Sequence, residues 1–240
     1  ASFQQRHRIV GFQSEIVRKW TVKLHEGMQI MRHWAAALAG LLVAIPLAAA
    51  DPLDGHDCFS SDNDRRIKGC TELIERPEVT GQLLGSAYAM RALGYSLKGL
   101  YDEAIRDYDE AIRLVPDFAV ALNNRAWAYF KSGRAEKGLP DVERSLELQP
   151  TSPHAYDTRA HIRQVMGDQE GALRDYEAAM RFGGERMVQL YQCGLAALGL
   201  YGGPVDGIYT PILRRAIEAC VTSKTCDPLP PDEECRAVTS

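Results

Sequence analysis

The fold of this chain is decided by the stretch Tyr101-Asp-Glu-Ala-Ile-Arg-Asp-Tyr-Asp-Glu-Ala-Ile-Arg-Leu-Val-Pro116. Its apolar residues recur at the i, i+3, i+4 and i+7 spacing that places them on one face of a helix. Asp102 and Glu103 lie in the first turn, where carboxylates complement the positive end of the helix, and Pro116 ends it. A helix with one apolar face needs a partner in water, and the chain supplies partners by repeating itself.

The repeat has a period of 34 residues and starts near Gly81. Each copy is predicted to form two helices, with a glycine between them that permits a left-handed cap and a tight turn. We predict the first helices at about residues 86–98, 119–132 and 153–166, and the second helices at about 101–115, 135–149 and 169–182. The recurring residues are Arg91, Arg125 and Arg159, then Gly99, Gly133 and Gly167, then Asp107, Asp141 and Asp175.

The recurring arginine and aspartate lie 16 residues apart, one on each helix of a copy. Two interpretations fit this spacing: a repeated charge ladder that binds a ligand, or an ion pair that joins the two helices. We favour the ion pair, because a binding ladder has no reason to place its countercharge at a constant offset.

The period and pattern resemble the tetratricopeptide repeat (TPR) over residues 85–186. The likeness is carried by the Tyr-Asp-Glu-Ala-Ile run, by small residues at 92, 104 and 111, and by Gly99 and Pro116. The resemblance implies an all-α fold: a TPR helical-hairpin solenoid of three repeats. An N-terminal capping helix from Ser61 or Asp62 to about Glu75 is predicted within residues 51–84, and a small helical segment is predicted after the repeats.

In the TPR family the first helices of successive repeats line a concave groove that holds peptides. The resemblance therefore implies a protein or peptide partner for this chain. Asn123 and Asn124 can hydrogen-bond an extended backbone, and Trp127 and Phe130 offer apolar anchors. In the alternative interpretation, Trp127 only packs against the next repeat. The expected groove residues are Asn123, Asn124, Trp127, Phe130, Lys131, His154, Asp157 and His161.

Some TPR domains bind C-terminal carboxylates through a clamp of lysine and asparagine residues. Only Asn124 matches a clamp position here. Ala89 and Leu93 stand where that clamp needs a cation and an amide. The resemblance therefore does not imply binding of chaperone tails.

Residues 187–221 are predicted to form a helix, a tight turn at Gly202-Gly203-Pro204, and a second helix. This segment is similar to the core of the peptidoglycan-binding domain family. It departs from the family where Thr210-Pro211 replaces the usual glycine and Cys220-Val221 replaces the closing Phe-Gln. The likeness supports the fold more than glycan binding, so peptidoglycan is kept as an alternative partner. The matching residues are Leu190, Leu195, Leu198-Gly199, Gly203, Val205-Asp206-Gly207, Tyr209 and Ala216-Ile217.

Residues 31–50 have the form of a secretory signal peptide. Arg32 precedes an apolar run from Trp34 to Leu47, and an Ala48-Ala49-Ala50 cleavage site follows. The alternative is an uncleaved membrane anchor, although the run is short for a membrane span. We interpret residues 1–30 as an upstream extension outside the natural start at Met31, and we expect the protein to be periplasmic or secreted.

All six cysteines follow the expected cleavage site, which favours disulfides formed in an oxidising compartment. We favour the pair Cys58–Cys70, which would clip the capping helix. Cys193, Cys220, Cys226 and Cys235 would then staple the C-terminal region, including a disulfide-tethered tail at residues 222–240. Zinc is the competing interpretation, but the Cys-x2-Cys knuckle is missing.

Charge and motifs limit the classes of function. Residues 51–240 carry 22 basic and 30 acidic side chains, a net charge near -8. This balance argues against a nucleic-acid partner and weakly against an anionic membrane surface. Because the sequence holds no nucleophile elbow, phosphate-cradling loop or His-Glu-x-x-His pair, we expect no catalysis, no cofactor and no metal.

Overall fold

The structure is a computed structural model that describes residues 56–229. The predicted upstream extension, signal peptide and Cys235 lie outside this range. In the part that the structure describes, no helix combines the length and the apolar character needed to cross a membrane. The helices of that part are α1 Asn63–Ile74, α2 Gly81–Leu97, α3 Tyr101–Leu114, α4 Ala119–Lys131, α5 Ala135–Leu148, α6 Pro153–Met166, α7 Gln169–Ala197 and α8 Pro211–Val221.

Consecutive helices pair as antiparallel hairpins, which confirms the predicted all-α solenoid with three repeats. Each first helix (α2, α4, α6) packs against the second helix that follows it, and each second helix also contacts the next first helix. Alanines with no exposed surface lie between the helices and allow this close approach. The helix ends fall close to the predicted ones, with two exceptions: α2 begins five residues earlier, at Gly81, and α7 continues past its predicted end at about residue 182 to Ala197.

Gly184 divides α7 into two parts. Its φ of 67° and ψ of -160° break the helix, and it stands where Pro116 and Pro150 end the first two repeats. The part after Gly184 places Tyr191 and Leu195 in the core of the third repeat. Together with α8 it forms the helical segment that was predicted after the repeats.

The recurring arginines and aspartates form bidentate ion pairs within each hairpin, as predicted. The Arg91 Nε–Asp107 Oδ2 distance is 2.7 Å and the Nη2–Oδ1 distance is 2.9 Å. The same geometry recurs in Arg125–Asp141 and Arg159–Asp175. These charges stabilise the hairpins, so they form no ladder for a ligand.

Disulfides fix both ends of the described chain. Cys58–Cys70 confirms the pair we favoured, and it joins the lead-in loop to α1. Gly69 permits this contact, because a β-carbon there would lie 2.6 Å from the backbone nitrogen of Cys58. A second disulfide closes the chain between Cys220 and Cys226 at the end of α8. Cys193 is also disulfide-bonded.

Candidate peptide-binding groove

An aromatic cluster joins the first helices of repeats two and three. The Trp127 ring centroid lies 5.1 Å from that of Phe130 and 5.5 Å from that of His161. Phe130 and His161 complete the triangle at 5.4 Å. Trp127 is buried, so it does pack against the next repeat. Its part in binding a partner stays a prediction.

The two asparagines of α4 lie one turn before Trp127. Asn123 is only 8% exposed, and its Nδ2 donates to Asn124 Oδ1 at 3.3 Å. The Oδ1 of Asn123 is buried with no hydrogen-bond partner among the described residues. Burial raises the pKa of Tyr108 on α3, and the neighbouring Asn124 side chain offsets this in part. A buried carbonyl oxygen without a donor is costly unless a ligand supplies one.

Lys131 and His154 are the more accessible of the predicted groove residues. Lys131 is exposed, and its Nζ lies 5.4 Å from the centre of the Trp127 ring, close enough for a cation–π contact. His154, in the first turn of α6, is half-buried and stands about two helical turns from His161. The structure therefore joins Lys131 to the aromatic cluster, whereas His154 lies at the other end of its helix.

Asp157 and His161, the predicted groove residues farther along α6, are buried. The Tyr191 hydroxyl donates to Asp157 Oδ1 at 2.7 Å. His161 Nδ1 lies 2.8 Å from the backbone oxygen of Asp157, and its Nε2 lies 3.1 Å from Asp227 Oδ1. Asp227 follows α8, so the chain's own C-terminal part covers this stretch of the first helix.

Gln164, a groove position in the TPR resemblance but not one of the eight expected binding residues, is a buried hydrogen-bonding centre. Its Oε1 accepts from the Tyr176 hydroxyl at 2.7 Å. Its Nε2 donates to the backbone oxygens of Ser223 at 2.5 Å and of Cys226 at 2.9 Å. The available signal was its spacing, since it lies one turn after His161 on the same helix face. Nothing in the sequence pointed to its partners, because they are backbone atoms some 60 residues away.

The groove positions of repeat one are also buried. Leu93 packs in a cluster with Cys58, Cys70 and Leu73 of the N-terminal element. The half-buried and exposed members of the predicted groove set are therefore Asn124, Phe130 and Lys131 of repeat two and His154 at the start of α6. We call Asn124, Phe130 and Lys131 the repeat-two window.

Parts of this chain are similar to known tetratricopeptide repeats. Family models described as TPR repeat and tetratricopeptide repeat match residues 95–133 and 119–152. Residues 95–152 therefore match tetratricopeptide repeats. Over 82 residues it is 38% identical to the Hsp70-Hsp90 organizing protein of Triticum aestivum, a match that covers 34% of this chain and spans only 14% of that relative. A crystal structure of MamA is 17% identical with a TM-score of 0.48, covering 56% of this chain and 81% of that one.

The turn between α7 and α8 is held by a second buried glutamine. The Nε2 of Gln192 donates to Asp206 Oδ1 at 2.9 Å, and its Oε1 accepts from the Gly207 amide at 2.8 Å. The hydrogen bonds from Gln192 and from the Ile208 amide lower the pKa of Asp206. Asp206 and Gly207, which carry part of the likeness to the peptidoglycan-binding family, therefore stabilise the turn between α7 and α8.

No group of three or more His, Cys, Asp or Glu side chains between residues 56 and 229 is placed to hold a metal ion. The groove provides amides, aromatic rings and a lysine, a set suited to binding a peptide.

Proposed function

We propose that this chain is an exported TPR scaffold that binds a protein or peptide at its repeat-two window. The observation that supports this proposal is the buried Asn123 Oδ1 on the helix that carries the Trp127–Phe130 ring pair. This oxygen has no hydrogen-bond partner among the described residues. A peptide N–H satisfies the Asn123 oxygen, and an apolar side chain packs on Phe130. The tetratricopeptide repeats support a protein-interaction scaffold.

Export is supported by the cysteines and by the predicted signal at residues 31–50. Two disulfides staple the described chain, Cys58–Cys70 and Cys220–Cys226, and such bonds persist in oxidising compartments. The protein would then meet its partner in the periplasm or outside the cell and would act by binding, without catalysis.

Although the wheat relative is named for Hsp70 and Hsp90, we propose no chaperone partner for this chain. Ala89 and Leu93 stand where a carboxylate clamp needs a cation and an amide, and both are buried. Only Asn124 matches. We propose an internal peptide segment as the ligand in place of a free C-terminus.

The test is affinity capture from the native host with quantitative mass spectrometry. Trp127 is buried in the core, so the informative variant is Phe130→Ala combined with Lys131→Glu, because Phe130 is only half-buried and Lys131 is exposed. Lys137→Glu on α5 is the matched control, because Lys137 is an exposed lysine on a second helix. We expect the window variant to lose at least nine tenths of the captured partner while the control keeps it. Retention of every partner by a folded window variant would contradict the proposal.

A second candidate function is docking on peptidoglycan through residues 198–212. The observation that favours it is a concentration of exposed apolar side chains in this short turn: Leu198, Leu200, Ile208, Tyr209 and Ile212. Exposed apolar groups gathered in one place mark interaction surfaces more often than scattered ones do.

Sedimentation with purified sacculi tests this candidate. Ile208→Asp with Ile212→Asp should abolish co-pelleting, whereas Met166→Asp, which changes an equally exposed apolar residue in another helix, should not. Failure of the unmodified chain to co-pellet at low salt would refute docking on peptidoglycan.

A further inference from the structure

Residues 223–229, here called the C-terminal segment, contact repeat three as a bound peptide would. Gln164 Nε2 reaches the backbone oxygens of Ser223 and Cys226. These are main-chain contacts, which any sequence can supply. Recognition of backbone carbonyls by a buried side-chain amide is the chemistry expected of a peptide site.

Two side chains of the segment make the contacts that depend on sequence. Asp227 Oδ1 lies 3.1 Å from His161 Nε2. Leu229 is buried in an apolar cluster that includes Ala160 and Tyr176. The site thus accepts an acidic residue and, two positions later, an apolar residue the size of leucine.

The surroundings of His161 suit a ligand group that accepts a hydrogen bond. Its Nδ1 faces the backbone oxygen of Asp157, an acceptor, and its Nε2 faces the carboxylate of Asp227, also an acceptor. An N–H group on either ring nitrogen can donate to the acceptor that it faces. The other groups that face the ring are the Asp157 carboxylate, 3.7 Å from Nδ1, and the rings of Tyr176, Trp127 and Phe130.

The segment is held in shape by local bonds and lies at the surface. Cys220–Cys226 closes its N-terminal side, and Asp227 Oδ1 accepts from the Leu229 amide at 3.1 Å. Ser223, Lys224 and Thr225 are exposed. The first three residues of the segment are therefore open to solvent, whereas Pro228 and Leu229 at its end are buried.

We propose that the C-terminal segment is an intramolecular ligand that fills the repeat-three part of the groove, and that a partner segment of the same chemistry replaces it. That partner segment carries an aspartate or glutamate followed, two residues later, by leucine or a similar apolar residue. The proposal deepens the proposed function and rests on it. Because the internal ligand competes with the partner, the apparent affinity for the partner is lower when the groove is open in a smaller fraction of the molecules.

A peptide supplied in trans tests the competition. The probe is a fluorescent, disulfide-closed peptide with the sequence of residues 220–229, and the receptor is the full chain with Asp227→Ala and Leu229→Ala. We expect this receptor to bind the probe at least tenfold more tightly than the unmodified chain does. Adding His161→Ala to the receptor, or replacing the probe's aspartate by asparagine, should remove most of that gain. Lys224→Ala in the full chain is the matched control and should bind as weakly as the unmodified chain.

Equal binding of the probe to the variant and unmodified chains, or no binding to either, would overturn the proposal. Circular dichroism verifies that the variants are folded, and Asp227→Asn alone replaces the double variant if that one unfolds. The two proposals fail separately. If the probe does not bind but the chain still captures its partner, only the internal ligand is refuted. If the probe binds but the Phe130 and Lys131 changes do not reduce capture, only the repeat-two window is refuted.

Discussion

His161 on α6 and Asp227 beyond α8 are 66 residues apart in sequence, yet His161 Nε2 and Asp227 Oδ1 lie 3.1 Å apart. This contact makes the C-terminal segment part of the repeat domain. It also explains why groove residues of repeat three are buried in a solenoid whose first helices would otherwise line an open surface.

Replacing Asp227 by asparagine should loosen the C-terminal segment without melting the helices. Asparagine keeps the size of the side chain but removes the charge that faces His161, and hydrogen bonds to charged groups contribute about 1.5–3 kcal/mol. Hydrogen–deuterium exchange should rise at least tenfold at the amides of residues 223–229 and stay unchanged in α4.

Lys224→Ala is the control for that exchange experiment, because Lys224 belongs to the same segment and is exposed. Its exchange rates should match those of the unmodified chain. If Asp227→Asn leaves the segment as protected as before, the His161–Asp227 contact does not hold it.

Arg125→Ala should destabilise the repeats far more than Arg144→Ala. Arg125 binds Asp141 in its own hairpin and Asp109 in the preceding repeat, both at 2.7 Å. The Arg125 side chain is 19% exposed and that of Arg144 is 48% exposed. Losing Arg125 leaves the buried Asp141 carboxylate unpaired, so we expect the free energy of unfolding to fall by about 2–4 kcal/mol. The loss for Arg144 should be much smaller, because its ion pairs are exposed to solvent.

Urea denaturation of both arginine variants provides the measurement. Equal losses would mean that the recurring pairs contribute no more to stability than surface ion pairs do.

The disulfide that closes the longer loop should stabilise the fold more. Cys58–Cys70 spans 12 residues and Cys220–Cys226 spans 6. Loop-closure entropy then gives about 3 and about 2 kcal/mol, respectively. Serine pairs at each position, compared by thermal unfolding, should keep this order, and peptide mapping of the unreduced protein should recover both pairs. Reversal of the order, or recovery of different pairs, would contradict the structure.

The turn at Asp206 should weaken in acid. Hydrogen bonds from Gln192 and the Ile208 amide lower the pKa of Asp206 in the folded chain. A carboxyl group whose folded pKa is depressed stabilises the fold above its unfolded pKa of about 4, and this stability is lost as the pH falls through the folded pKa. The protection factors of the amides of residues 206–208, which NMR gives after correction for the intrinsic exchange rate at each pH, should be lower near pH 2.5 than at neutral pH. Asp206→Asn should make the protection of these amides less dependent on pH. If the pH dependence of this variant is the same as that of the unmodified chain, the Asp206 carboxylate does not hold the turn.

The repeats were predictable because their causes are local or recur. The pattern from Tyr101 to Pro116 sets the helix faces, and the constant spacing from Arg91 to Asp107 predicted a contact that the structure contains in all three copies. Cys58–Cys70 was predictable for a similar reason, since both residues precede the repeats and lie close in sequence.

The filling of the groove could not be predicted from the sequence. It depends on the path of the chain after α8, which follows from the break at Gly184, the turn held by Gln192 and the Cys220–Cys226 closure acting together. Gln164 binds backbone oxygens, and such contacts leave no side-chain pattern in the sequence of the segment that they hold.

Site-specific photo-crosslinking in the native host tests the peptide groove most directly. A photoreactive side chain is placed at Lys131 in the repeat-two window or at Lys137 on α5, two exposed lysines six positions apart in the sequence. We expect a discrete crosslinked partner from position 131 and none from position 137, with a yield that rises when Asp227→Asn frees the repeat-three groove. Crosslinking from position 137 alone, or equally from both positions, would contradict a groove-bound peptide.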